Sequence, residues 1–313
     1  MIPTYGRADL LKNAIKSAIR QDYQNLEIVV VDDGSPDNTR EVVQGLIAEN
    51  PEREIKYIYQ QNSGVSAARN ACVKNSSGDF LAFLDHDDEL LSGYVSKLAD
   101  ELGSLGKEYG AASPDWIVED ADGRRSYGFA EDTILNCPGN SWMFRREVFF
   151  EKDLWYDSAF GFSEDFELSL RSAGKYKVKR IHMPLFKYRA GLPSFKIKQK
   201  TLTNDYRSNY LALTKAIQKN AAYVEKLDAD SRAEIEFHVG VFAAAAGEMP
   251  AARKHFANSL KLRFSATKAA YYLATCGGRY GFAVFRVAIS RLKRWWVVWR
   301  SREKIYALTL VSR

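Results

Sequence analysis

The order of apolar and polar positions in the first ninety residues alternates between two periods. Leu10, Leu11, Ala14, Ile15, Ala18 and Ile19 recur at helical spacing and predict a helix over 8–21. The run LEIVVV, residues 26–31, is apolar and β-branched and is followed by DDGSPDNT, which reads as a buried strand ending in a turn. The pattern then repeats. TREVVQGLIAEN predicts a helix, IKYIYQ a strand, SAARNACVKNSS a helix and DFLAFLD a strand. Strands alternating with helices indicate an α/β domain with a mixed, mostly parallel sheet. Residues 111–200 are less regular, with loops around CPGN and a strand-like HMPLFKYR. From about residue 203 the sequence turns helix-rich and Ala-rich, which places a boundary between units 1–202 and 203–313.

Composition adds limits. The chain has 313 residues, 46% hydrophobic and 27% charged, enough for one large domain or two ordinary ones. No run of eighteen apolar residues predicts a transmembrane helix, and the MIPTYGRADLLK start lacks the charge and apolar order of a signal peptide. Cys72, Cys137 and Cys276 lie far apart and give neither a metal spacing nor a disulfide set, so the expected compartment is the reducing cytosol. The formal charge of +6 is unevenly spread: acidic clusters precede residue 170, and Lys and Arg gather in the last third.

Two of those acidic clusters, VVVDD and FLAFLDHDDELL, stand at the carboxyl ends of predicted strands, where α/β sheets bind ligands. Asp85, Asp87, Asp88 and Glu89 crowd one such end, and like charges this close repel. A divalent cation bound by one or two carboxylates plus substrate phosphates would relieve them. A solvated acidic turn is the other reading of a lone D-x-D.

Four motifs occur in order: IPTYGRADLL, EIVVVDDGSPDNT, NSGVSAARNACVKNSSGDFLAFLDHDD and SEDFELSLRSAG. Together they resemble the family 2 glycosyltransferases, over roughly residues 1–190. The resemblance implies the GT-A nucleotide-sugar fold and inverting, single-step transfer of a sugar from a nucleotide donor, with Mn²⁺ or Mg²⁺ as cofactor. It implies donor contacts from Pro3, Tyr5, Asp32, Asp33, Arg69, Asp85 and Asp88. Asp32 would support the VDDGS loop, and Arg69 would reach phosphate or form a structural ion pair. Asp85 and Asp87 would hold the metal. Asp165 would be the catalytic base, because an acceptor hydroxyl needs its proton taken as it attacks. Ser163 would cap the helix carrying Glu164 and Asp165. Asn140, Trp142 and Glu164 are expected on the acceptor side.

There are departures from the family pattern. Relatives carry a further apolar strand segment before IPT, whereas Met1 stands where that segment ends, so the first strand is expected to be missing, which would threaten folding and base binding. Gly6 replaces an Asn. The residues after Tyr188 and Arg189 lack a nearby His, while His182 and His86 read as bystanders. Arg291–Trp295, RLKRW, lacks the Gln of the processive synthases.

In the last third, EFHVGVFAAAAGEMPAARKHFANSLKL resembles a tetratricopeptide-type helix pair, with Gly247, Ala252, Phe256 and Leu260 at suitable spacings. The segment FRVAISRLKRWWVVWRSREK sets Trp295, Trp296 and Trp299 among basic residues. That composition suits a helix lying on an anionic membrane, or a core-packing helix with a basic outer face. The expected partners are a nucleotide-sugar donor, a glycan or lipid-linked acceptor and an anionic membrane surface, with no nucleic acid. The expected setting is bacterial surface polysaccharide synthesis at the inner face of the plasma membrane, with UDP the expected nucleotide. A degenerate membrane scaffold and a nucleotidyltransferase are the rival classes.

Overall fold

The structure is a computed structural model. It describes residues 1–128, 141–151, 153–172, 175–189 and 205–278, together with Phe282 and Phe285. Asn140, Cys137 and the basic Trp segment from Arg286 onward lie outside the described residues.

The first half follows the predicted alternation. β1 (Ile2–Thr4), α1 (Ala8–Ile19), β2 (Glu27–Asp32), α2 (Thr39–Glu49), β3 (Glu54–Tyr59), α3 (Val65–Lys74) and β4 (Phe80–Ala82) succeed one another. β1, β2 and β3 form a parallel sheet in that order. The first strand is therefore not missing: Ile2–Thr4 forms it and pairs with β2. Met1 also joins it to β4: the Met1 amine donates to the Ala82 carbonyl (2.8 Å), and the Leu84 amide donates to the Met1 carbonyl (3.0 Å). Bonds to the residues on either side of Phe83 are the parallel pattern. β1 is thus held between β2 and the end of β4.

The middle region holds more strand than the sequence indicated. β5 (Glu89–Leu90), α4 (Tyr94–Ser104), β6 (Tyr109–Glu119), β7 (Arg125–Gly128), β8 (Met143–Arg145), α5 (Glu147–Phe150), α6 (Glu164–Ser172) and β9 (Lys177–Arg189) follow. The second sheet runs β4-β8-β6-β9-β5, with β7 on β6. Within it β6 and β9 are parallel and the other pairs antiparallel, so the parallel character is concentrated in the first sheet. The strand-like HMPLFKYR is the second half of β9, whereas β6 was hidden by Pro114, a residue normally confined to edges or bulges. The β6–β9 register shifts next to Pro114, and Asp115 faces Pro184 there.

The core lies between α1 and α4 and the sheet. Leu11, Ile15, Val30, Leu98, Leu102 and Phe186 are fully or almost fully buried in it. Fully burying an aliphatic or Phe side chain contributes about 1.5–3 kcal/mol.

Two compact units divide between Leu227 and Asp228, later than the sequence composition indicated. α7 (Tyr206–Lys219) and α8 (Ala221–Val224) belong to the first unit. The second unit contains α9 (Ala229–Ala246), α10 (Met249–Leu262) and α11 (Ala266–Cys276). α9 and α10 form the expected helix pair. Gly247 ends α9 in the left-handed conformation (φ 89°), which glycine adopts without steric cost. Gly240 lets the buried Phe256 ring lie against α9, since a Cβ there would stand 2.7 Å from the ring. Among the described residues, no helix is long and apolar enough to cross a membrane.

Candidate active site

Strand ends β1, β2 and β4 bring their following loops to one edge. After β2, Asp32 and Asp33 are buried and fully engaged. Asp32 caps the following turn by accepting from the Ser35 amide (2.8 Å) and also accepts from the Tyr57 hydroxyl (2.6 Å). Burial, then the bond to Asp32, pushes the Tyr57 hydroxyl up to about 12. Asp33 accepts from Gln60 Nε2 (2.7 Å) and from the amides of Ser63 (2.8 Å) and Gly64 (2.9 Å). Its own amide donates to the Thr4 carbonyl (2.9 Å), so Asp33 ties the β1, β2 and 60–64 segments together. Pro3 is buried in β1, and the half-buried Tyr5 follows it. Gly6, at φ 62°, donates its amide to Ser35 Oγ (2.9 Å) and closes the β1 loop onto the β2 loop.

After β4, the carboxylates of Asp85, Asp87 and Asp88 place one oxygen each within 4.8 Å of one another. Burial pushes the Asp87 carboxyl up, His86 opposes this, and Asp85 adds to it. Three hard oxygen donors with a strained negative charge fit a divalent cation. The three are not equivalent. Asp88 is almost fully buried and accepts from the Arg189 amide (2.9 Å), so it fastens this loop to β9. Asp85 and Asp87 are half-buried and are the better metal candidates.

The second acidic segment meets the first through Arg69. This guanidinium, 5% exposed, pairs through Nη1 with Glu164 Oε1 and through Nη2 with Asp85 (3.1 and 3.3 Å). It also lies 5.3 Å from the centroid of the Tyr156 ring. Burial works against its charge, but Asp85 and then Glu164 outweigh that and hold it protonated. Of the two roles read for Arg69, the ion pair is the one the structure displays. Glu164 is correspondingly buried against Arg69 and not presented to an acceptor. Burial pushes its carboxyl up, and Arg69 counteracts this. Asn70 reinforces the junction: its side chain accepts from the Tyr156 amide (3.0 Å) and donates to the Tyr156 carbonyl (2.8 Å).

Asp165, the next residue, is half-buried at the first turn of α6, and its Oδ1 accepts from the Phe166 amide (2.8 Å). It lines a small cleft with Trp142, Tyr156 and Ser169. Trp142 is 2% exposed and packs on Phe144 (centroids 5.4 Å apart). The expected acceptor-side role for Trp142 is therefore replaced by a place in the wall beneath Asp165. The expected helix cap is also absent. Ser163 has φ 54°, a left-handed conformation that costs an L-residue about 1–2 kcal/mol, and its hydroxyl donates to Asn209 of α7 (3.1 Å). Asn209 and Tyr156 had no sequence signal, because both act through contacts distant along the chain. His182 is 67% exposed and 3.8 Å from Asp115, apart from these groups.

Comparison with known proteins fits this geometry. A mannosyltransferase from Pyrobaculum calidifontis, PcManGT, solved with GDP-Man and Mn²⁺, matches with a TM-score of 0.59 at 19% identity, over 95% of this chain and 81% of its own. S. aureus TarS 1–349 in complex with UDP-GlcNAc matches with a TM-score of 0.57 at 16% identity, over 87% of this chain and 77% of its own. Likeness at that identity shows the fold, which is GT-A. A Campylobacter jejuni GalNAc(5)-diNAcBac-PP-undecaprenol β-1,3-glucosyltransferase is 46% identical over 100 residues, 31% of this chain. Bacillus subtilis EpsJ, an uncharacterized glycosyltransferase, is 26% identical over 207 residues, 60% of each chain. The chain spans about a third of the length of the C. jejuni relative and 14% of Streptococcus pneumoniae GlyA. The sequence model of Glycosyl transferase family 2 matches residues 1–172, more than half of the chain, and the chain belongs to that family.

Proposed function

We propose that this protein transfers a sugar, with inversion, from a nucleotide sugar to a hydroxyl of a glycan or lipid-linked acceptor. The observation that carries this reading is the single Arg69 shared by Asp85 and Glu164. It sets the acidic loop after β4 beside the helix that presents Asp165.

In this reading Pro3, Tyr5 and the Asp32–Asp33 loop border the nucleoside, and Asp85 and Asp87 hold a divalent cation, Mn²⁺ or Mg²⁺. When bound, such a cation offsets charge on the diphosphate as it departs. The half-buried Asp165 carboxylate takes the acceptor's proton as the hydroxyl oxygen forms its bond to the anomeric carbon. The bond from that carbon to the diphosphate oxygen breaks, and the nucleoside diphosphate leaves with the electron pair. UDP is the favoured nucleotide, and bacterial surface polysaccharide synthesis the favoured setting. The C. jejuni relative's name specifies a polyprenyl-linked substrate, which supports a lipid-linked acceptor here. The basic Trp-rich stretch 286–304 supports work at an anionic membrane. Loss of liposome binding on removing 286–313 is the expected result, and equal binding would overturn the membrane part.

The main test is thermal unfolding with UDP, GDP, TDP and CMP, each with and without Mn²⁺, alongside product analysis with the matching nucleotide sugar. A ligand at a hundredfold its Kd adds about 2.7 kcal/mol. That is roughly 5–11 °C for a domain of this size. A Mn²⁺-dependent rise with one nucleoside diphosphate, and that diphosphate as product, is expected. Release of pyrophosphate would mean a nucleotidyltransferase, and no shift with any nucleotide would favour a scaffold without catalysis.

A further inference from the structure

The head of α6 is held from outside the residues that match the family. Ser163 carries the first helical acceptor of α6, since its carbonyl takes the Glu167 amide (3.0 Å). With φ at 54°, its side chain is swung away from the helix amides it would otherwise cap, and Oγ donates to Asn209 Oδ1 (3.1 Å). Asn209 stands in the first turn of α7. Its Nδ2 donates to the Asp205 carbonyl (3.0 Å), so the amide is fixed at its own end as well. A left-handed serine is retained only where its surroundings over-determine it. Here one determinant is a side chain on a neighbouring helix, beside the Arg69–Glu164 pair one residue on.

We propose that Asn209 is a positioning residue for the transfer reaction: by holding Ser163 it sets the first turn of α6, and with it the direction of the Asp165 carboxylate. This rests on the reading of Asp165 as the base. α7 then forms part of the catalytic apparatus although it lies beyond residue 172, where the family match ends. The docking of α7 does not depend on this bond. Lys215 Nζ donates to the Ala159 carbonyl (2.9 Å), and Asn220 Nδ2 donates to Glu167 (3.1 Å). Changing Asn209 therefore removes the restraint on Ser163, while the Arg69–Glu164 pair and the helix packing stay in place.

The test compares wild type, Asn209→Ala, the isosteric Asn209→Asp and Ser163→Ala in the full chain. Asp keeps an oxygen for the Ser163 hydroxyl but not the donor to the Asp205 carbonyl, and Ala keeps neither. Two readouts are taken. The first is hydrogen exchange of the Glu167 amide, with amides of α10 as the internal reference. Exchange about tenfold faster in Asn209→Ala and Ser163→Ala, and close to wild type in Asn209→Asp, is expected for a local opening. The second is nucleoside diphosphate release from UDP-GlcNAc and from GDP-mannose with Mn²⁺. A kcat lowered about tenfold or more, with donor KM within about twofold, is expected for a misplaced base. Asn209→Asp should restore most of that loss. Unchanged Glu167 exchange in Asn209→Ala, or equal loss in the Ala and Asp variants, overturns the proposal. Should Asn209→Ala not fold, Ser163→Ala removes the same bond from the other side and decides alone. A wild type that releases no diphosphate from either donor counts against the transferase reading, and the exchange data then decide whether Asn209 holds the helix.

Discussion

Arg69 and Glu164 form a buried ion pair, and the second nitrogen of the same guanidinium belongs to Asp85. Removing one member of a buried pair leaves an uncompensated charge and typically costs about 3–5 kcal/mol. Arg69→Met is therefore expected to lower unfolding stability by about 3 kcal/mol. Adding Glu164→Gln should recover part of it, because a neutral amide no longer needs the partner. Urea unfolding of the three variants checks this. A double variant as unstable as the single one would mean that Asp85, not Glu164, dominates the loss.

Asp165→Asn should lower turnover by about 10²–10⁴-fold, the usual contribution of a general base. Binding of Mn²⁺ and nucleotide should persist, since the acidic loop after β4 does not include this residue. Calorimetric titration with nucleotide, beside a rate assay, separates the two. Retained turnover would remove Asp165 from the mechanism.

Trp142 offers a contrast between size and polarity. Its Nε1 is buried and has no hydrogen-bond partner, so its replacement by Phe loses no hydrogen bond. Trp142→Phe should be nearly neutral, while Trp142→Ala should cost about 3–5 kcal/mol by opening a cavity under Asp165. Thermal unfolding reads both. A large loss in the Phe variant would show that the indole nitrogen has a partner in solution.

Glu27 predicts an acid dependence. Burial works to raise its carboxyl, but Lys56 and the amides of Ser77 and Gly78 prevail and hold it down to about 2. A depressed carboxylate contributes stability above its unfolded value of 4.5 and loses it as pH falls toward about 2. Glu27→Gln should therefore lower Tm at pH 7, and the gap to wild type should close between about pH 4.5 and pH 2. A gap that stays constant across that range would assign the effect to packing.

The alternation of periods in residues 8–85 was legible because each strand there carries β-branched or apolar runs and each helix an apolar stripe. The second half of β9 was legible as the strand-like HMPLFKYR, but β6 was not, since Pro114 argues locally against a strand that the sheet tolerates by shifting register. Asp32, Asp33, Asp85, Asp87 and Asp165 could be picked out as carboxylates at strand or helix ends. The occupation of Arg69 and Glu164 by each other could not, because a residue's partner 95 positions away leaves no mark on its neighbours. The membership of α7 in the first unit was equally hidden. Its hydrogen bonds to the α6 segment come from Asn209 and from Asn220 at its C-terminal cap, polar residues whose partners leave no mark on the local sequence.

β1 is three residues long, yet it separates the two halves of the site. Hydrogen bonding fixes neighbouring strands about 4.8 Å apart, so the strands bearing Asp33 and Asp85 stand about 10 Å apart across it. That distance is a property of peptide geometry, and no change in the surrounding loops alters it. β1 is in this sense a gauge: it sets the span between the loop of Asp33 and the loop of Asp85, leaving the loops free to diversify around a constant length.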